Sequence, residues 1–204
     1  MTGAASIHPA VSLIRSELPK IGSIFGGIPR GAITEIAGPS SSGRSSLMNT
    51  LLAEATAENE FCALIDIEDA FDPLSADAAG VRLSQLLWVR CAGNVEHGLK
   101  AADMLTQAGG FGLIAMDLAD TPPRISRRIP LAAWFRLRHA ASTTKTALLA
   151  VGSCFNTSTC SALKIELTRE RIGRRRRLLE WLEIRARLTR NHQSREEMFV
   201  TNWQ

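Results

Sequence analysis

The run Gly38-Pro39-Ser40-Ser41-Ser42-Gly43-Arg44-Ser45-Ser46 lies between an apolar segment, residues 32–37, and a stretch whose apolar members (Leu47, Met48, Leu51, Leu52, Ala55) recur at helical spacing. It matches the phosphate-binding pattern G-x-x-x-x-G-K-[ST] at every fixed position but one. The glycines let the backbone turn tightly enough for its N–H groups to surround phosphates, and the hydroxyl, here Ser45, joins a magnesium shell. The lysine is replaced by Arg44, which keeps the charge but is a longer, planar fork instead of a compact ammonium. The strand–loop–helix context makes the match far more specific than the eight-residue pattern alone. The reading therefore predicts either a working nucleotidase or such a fold turned to another use.

Working outward, the 204 residues suit one domain with a full core, preceded by an arm or short helix over residues 1–20. Hydrophobic residues at 45% and charged residues at 22% describe a globular chain, not a disordered one. No apolar run approaches the ~18 residues of a membrane span, and no signal-peptide pattern is visible. Cys62, Cys91, Cys154 and Cys160 have neither metal-ligand spacing nor a disulfide framework, so reduced thiols in a cytoplasmic protein are expected. Net charge is +4, unevenly spread. Between Arg169 and Arg195 ten arginines face three acids, a local +7 that leaves −3 for the rest. Such a basic end implies a polyanion, an acidic partner or a solvated face.

Residues 61–66, 86–91, 111–117 and 146–151 read as strands, and 97–108 and 131–141 as helices, the first ending at Gly109-Gly110. A short helix is expected over 10–18. Alternating strands and helices predict an α/β fold with a mostly parallel sheet covered by helices on both faces. The last quarter switches to period two: Leu163, Ile165 and Leu167 alternate with Lys164, Glu166 and Thr168, and Leu182, Ile184, Ala186 and Leu188 alternate with polar residues. That pattern predicts a C-terminal antiparallel hairpin turning through residues 173–177, with a final strand over 198–203.

Ligands of open α/β sheets bind beyond the carboxyl ends of the strands. Two acids stand there beside the loop. Glu68, after the strand at 61–66, is the candidate general base that orients a water. Asp117, ending the strand at 111–117, is the candidate magnesium ligand with Ser45.

The motifs Gly26-Gly27-Ile28-Pro29-Arg30-Gly31-Ala32-Ile33-Thr34-Glu35-Ile36, the loop from Gly38, and Leu64-Ile65-Asp66-Ile67-Glu68-Asp69-Ala70-Phe71-Asp72-Pro73 resemble the RecA recombinase core. So do Ser161-Ala162-Leu163-Lys164 and Arg169-Glu170-Arg171-Ile172-Gly173. The resemblance covers residues 21–204 and implies a RecA-like P-loop core, with ATP and magnesium as cofactors and with the loop residues and Asp72 holding the nucleotide. It also implies self-association, with ATP between subunits.

Several positions depart from that family. Arg44 stands for lysine, Ser75 for an adenine-stacking tyrosine, Ser153 for a glutamine that senses the outermost phosphate, and Leu118 for a hydroxyl residue. The long DNA-binding loop shrinks to residues 154–160, and the other DNA loop becomes Thr121-Pro122-Pro123-Arg124-Ile125-Ser126-Arg127-Arg128. The lysines that a neighbouring subunit contributes fall on Arg190 and His192. A lost charge clamp alone costs on the order of 10³-fold in phosphoryl transfer. These losses imply weak or absent ATPase activity. A small, degenerate core of this kind is similar to the ImuA group, which implies a DNA damage (SOS) response and translesion-synthesis accessory role. The implied partners are a Y-family-like polymerase relative and an error-prone C-family polymerase. Arg124, Arg127 and Arg128, with the cluster Arg174, Arg175, Arg176 and Arg177, are the candidate contacts to DNA phosphates or to a protein partner. The competing readings are an active DNA-dependent ATPase that forms filaments, and a regulator that keeps the fold as an interaction surface, touching partners through Trp134, Phe135 or residues 199–203.

Overall fold

A computed structural model describes residues 13–14, 27–175, 178–190 and 193–202. In chain order the elements are β1 (Leu13–Ile14), β2 (Ile28–Pro29), β3 (Ile33–Ala37), α1 (Arg44–Ala57), β4 (Cys62–Asp66), α2 (Pro73–Ala78), β5 (Leu86–Arg90) and α3 (Val95–Ala108). There follow β6 (Leu113–Leu118), α4 (Pro123–Ser126), α5 (Leu131–Thr144), β7 (Ala147–Gly152), β8 (Ser161–Arg175), β9 (Leu178–Arg190) and β10 (Gln193–Asn202). Eight strands form one sheet in the order β10-β9-β8-β3-β7-β6-β4-β5. All pairings from β8 to β5 are parallel, and β8, β9 and β10 pair antiparallel. The expected α/β class, parallel core and C-terminal hairpin are all present.

The central strands β3, β4, β6 and β7 are buried along their whole length, which is why they read as continuous apolar runs. Their two faces feed two cores. On one, Leu47, Met48, Leu51 and Leu52 of α1 pack with Ile36, Leu64, Ala115 and Leu149. This core continues onto the hairpin through Leu163, Ile165, Leu167, Ile184, Ala186 and Leu188. On the other, Trp134, Leu137 and Ala141 of α5 and Ala102 of α3 cover Ile33, Ile65, Ile114, Met116 and Leu148. The hairpin's period-two pattern is thus a one-sided burial. Its outer face carries the ion pairs Arg185–Glu170 at 3.2 Å, Arg171–Glu183 at 3.6 Å and Arg187–Glu196 at 2.7 Å.

The structure departs from the sequence reading at five points. Leu13 and Ile14 are extended, not helical, and pair with Pro29 and Ile28; the rest of the 1–20 arm lies outside the described residues. Helix α3 begins two residues before His97, because Asn94 caps it by accepting from the Glu96 and His97 N–H groups. Two short helices, α2 and α4, were not foreseen; each has proline in its first turn, where the missing N–H is harmless. The hairpin turn is tighter than expected, because β8 runs on to Arg175 and β9 starts at Leu178. The final strand begins earlier than 198, at Gln193.

All four cysteines are free, and burial pushes the Cys62 thiol up to about 12, so it packs as an apolar side chain. Leu51, fully buried between α1 and the sheet, sets the expected scale of the core. Leu51→Ala should lower unfolding free energy by about 2–5 kcal/mol in urea titration, whereas Leu74→Ala, at 81% exposure, should change it by less than about 0.5 kcal/mol.

Candidate functional site

The loop between β3 and α1 turns at Gly43, whose φ of 89° is left-handed and open to glycine without strain. A methyl group there would sit 2.5 Å from Ile184 Cδ1 on β9, and one on Gly38 would strike the Leu167 carbonyl oxygen of β8. The hairpin is therefore packed directly on the loop: Gly38 is required by its contact with backbone, and Gly43 chiefly by its conformation. No side chain caps α1, so its first-turn N–H groups face outward without an internal acceptor. Ser42 is fully buried, and its hydroxyl has no hydrogen-bond partner among the described residues.

A cavity of about 810 Å³ opens over this helix end. Ser40, Ser41, Gly43, Arg44, Ser45 and Ser46 line it from the loop; Phe71, Asp72 and Ser75 from the segment after β4; Asp117 and Asp120 from the end of β6; Arg169 and Ile172 from β8. Its size suits a nucleotide-sized ligand. Unpaired helix-end amides, a glycine turn and a serine hydroxyl are also the donor set that phosphate requires. The residues present thus fit a nucleotide's phosphate chain, with Ser45 and Asp117 as the side chains that would complete a magnesium shell otherwise made of phosphate oxygens and water.

Arg44 borders that space, but its charged end is engaged within the protein. Its guanidinium is buried and donates to the Ala119 carbonyl at 3.1 Å. Burial lowers its pKa, while Asp120 and then Asp117 oppose the shift. Its charge is thus already matched by the end of β6. Glu68 is likewise held: Thr121 donates to its Oε1 at 2.9 Å, and it does not line the cavity. Asp72 lines the cavity but acts locally as the cap of α2, accepting from the Leu74 N–H at 3.1 Å and the Ser75 N–H at 3.2 Å. Hydrogen bonds from Ser75 hold its carboxyl below the usual range.

Asp66, unassigned in the sequence reading, shapes this corner. Its buried carboxylate accepts from the Ala70 and Phe71 N–H groups and from Trp88 Nε1. Phe71 meets Trp88 edge-on at 5.3 Å. Asp120 and Arg169 were also missed as cavity residues; strand-end position could have flagged Asp120, but nothing local in the sequence flags Arg169. Gly38, Pro39 and Ser42 shape the loop without lining the cavity.

Elsewhere, Arg124, Arg127 and Arg128 are exposed around α4, whose neighbours Thr121 and Ser126 are buried anchors. Arg174 and Arg175 fall at the end of β8, and Arg176, Arg177 and His192 lie outside the described residues. Residues 153–160 close the gap between β7 and β8. They are pinned by Glu35, a 1%-exposed carboxylate on β3 that accepts from the Asn156 N–H, the Thr157 N–H and the Thr157 hydroxyl. Trp134 is buried, whereas Phe135 is exposed and carries Arg138 over its ring at 5.0 Å.

Asp117 has the clearest electrostatic signature of the site. Burial raises its pKa to about 6, partly countered by the Ala119 N–H that bonds its Oδ1 at 2.8 Å. The folded state therefore binds the proton more tightly than the unfolded chain, so this group lowers stability above about pH 6 and has no effect below about pH 4. Asn keeps the Ala119 acceptor, and Asp120 remains opposite Arg44. Asp117→Asn should raise unfolding free energy by on the order of 2–3 kcal/mol at pH 7.5, with the gain vanishing toward pH 4 in denaturant melts.

Against known proteins, residues 16–175 match the family model of the RecA N-terminal domain. The chain is 40% identical over 92 residues to Protein RecA of Colwellia psychrerythraea, an alignment covering 45% of this chain and 26% of that protein. With Protein RecA of Rhodospirillum rubrum the figures are 44% over 93 residues, 46% and 25%. With that of Chloroflexus aurantiacus they are 32% over 139 residues, 61% and 39%. The matched segment thus spans about a quarter to two fifths of the length of these relatives. A match over residues 16–175, on a sheet and loop of this geometry, means that the chain belongs to the RecA N-terminal domain family.

Proposed function

We propose that this protein is a RecA-like nucleotide-binding scaffold of bacterial DNA repair, an accessory in translesion synthesis that adapts an error-prone polymerase complex, with weak or absent ATP hydrolysis. The observation that carries the reading is the Arg44 guanidinium turned onto the Ala119 carbonyl beside Asp117 and Asp120. The P-loop cation is engaged by protein acceptors instead of being presented to a phosphate. Two further contacts point the same way. Thr121 holds Glu68 away from the cavity, and Glu35 pins residues 153–160, the counterpart of a loop that must move in a switchable recombinase.

ATP, when bound, supplies a phosphoanhydride and the charge that its magnesium neutralises. The residues of this chain would bind and orient it: the loop and α1 amides take phosphate oxygens, and Ser45 and Asp117 face the metal. Phosphoryl transfer depends on preorganised positive charge at the departing phosphate and on a placed base. This site has both residue types, but each is held by an internal bond. Steady-state phosphate release with single-stranded DNA should be at least about 10³-fold slower than the ~1 s⁻¹ at the low end of ordinary enzyme turnover, and Glu68→Gln should leave it unchanged. Turnover near 1 s⁻¹ that Glu68→Gln abolishes would instead establish the active, filament-forming ATPase, a reading favoured by the retained Ser45, Asp117 and Glu68.

The exposed arginines of the α4 corner supply the phosphate-facing surface in this reading. Binding to single-stranded DNA should weaken steeply with salt and ignore sequence. The triple change of Arg124, Arg127 and Arg128 to Ala should reduce the log–log salt slope by about 2, measured by fluorescence anisotropy. An unchanged slope assigns that corner to a protein partner or to solvent.

A further inference from the structure

We propose that Arg169, on the C-terminal hairpin, is a phosphate-binding residue of the nucleotide cavity and supplies from β8 the positive charge that Arg44 does not present. The inference rests on the nucleotide-scaffold reading above and goes beyond it by naming a ligand contact outside the P-loop and the segment that follows β4.

Three observations carry it. First, register places Arg169 on the inward face of β8. Leu163, Ile165 and Leu167 point into the core beneath α1, and Arg169 is the next position on that face, just past the edge of the core. Second, the pairing of β8 with β9 shifts between Arg169 and Arg171. A bulge re-aims side chains, and here it puts Arg169 and Ile172 together on the cavity wall, although an unbroken strand would send residues three apart to opposite faces. Third, the charge of Arg169 is uncommitted. Its described neighbours on the hairpin are paired: Arg171 with Glu183, Arg185 with Glu170, Arg187 with Glu166 and Glu196. Arg169 makes no ion pair among the described residues.

The other charged groups of the cavity sharpen the point. Asp72 is occupied as a helix cap, and Arg44 faces Asp117 and Asp120. Among the described residues, an anion entering over the α1 amides therefore meets one cation without an ion pair, Arg169 on the hairpin. The close fit of Ile184 and Leu167 against Gly43 and Gly38 fixes the hairpin to the loop, so that cation is held at a constant offset from the amides. The ligand class is a nucleoside di- or triphosphate, recognised by its phosphate chain from two sides.

The test is equilibrium binding of a fluorescent adenine nucleotide to the full chain, with displacement by ATP, ADP and adenosine in the presence of magnesium. Arg169→Ala should weaken ATP and ADP by about 10- to 100-fold and leave adenosine unchanged. Arg169→Lys should recover part of the loss, because a point charge still binds phosphate. Arg169 is exposed and unpaired, so both variants should melt with the unaltered protein. Undiminished ATP affinity in Arg169→Ala overturns the proposal while leaving the nucleotide reading intact. An equal loss for adenosine overturns it too, by assigning the arginine to the base. No nucleotide affinity in the unaltered protein sinks both readings together.

Discussion

Glu35 is a carboxylate in the middle of a parallel sheet, and a charge buried there is tolerated only if its oxygens are fully engaged. Two backbone N–H groups and a hydroxyl from Asn156 and Thr157 meet that demand. Because β3 lies between β7 and β8 and runs parallel to both, the connection joining those strands must cross β3 from its carboxyl end back to its amino end, and Glu35, mid-strand, fixes it there. The same strand runs straight into Gly38. One buried acid thus ties the phosphate loop, the shortened connection and the start of the hairpin into a rigid corner. Whatever binds the cavity meets preorganised backbone.

That rigidity gives the site its chemical character. Helix-end amides, a glycine turn and the exposed Ser45 hydroxyl line the cavity of a protein whose loop cation is bonded to its own backbone. A guanidinium that reaches the Ala119 carbonyl satisfies an acceptor beyond β6 and lies beside two aspartates, which ties the loop to the end of that strand. A shorter ammonium makes fewer directed bonds and offers less of this self-satisfaction. On the proposed reading, holding an anion and breaking its bonds are separable here, because the first needs backbone amides and the second a presented charge.

Much of this was legible beforehand. Continuous apolar runs marked β4, β6 and β7, and period two marked the hairpin, because burial on both faces or on one leaves different traces in a sequence. The loop and Asp117, which share one cavity, were readable because their backbone and strand-end positions are local, whereas Glu68 lies off that cavity, bonded to Thr121. Other features escaped for the complementary reason. Asp72 reads as a nucleotide ligand by its position after β4, yet its nearest donors are the α2 amides, and local capping competes for the same oxygens. The roles of Glu35, Thr121 and Arg169 depend on partners 122, 53 and 15 positions away, across strands whose register no periodicity reveals. The bulge that brings Ile172 beside Arg169 has no signature in its own residues.

The contact between Gly43 and Ile184 couples two segments that are far apart in the chain. A loop of this kind is usually regarded as a self-contained signature, free of the rest of the sequence. In this protein it is one half of a matched pair. A side chain at position 43 would have to displace the end of Ile184 and also bear a left-handed backbone. Trimming position 184 removes only the first of these costs, so glycine stays favoured at 43 however the hairpin drifts.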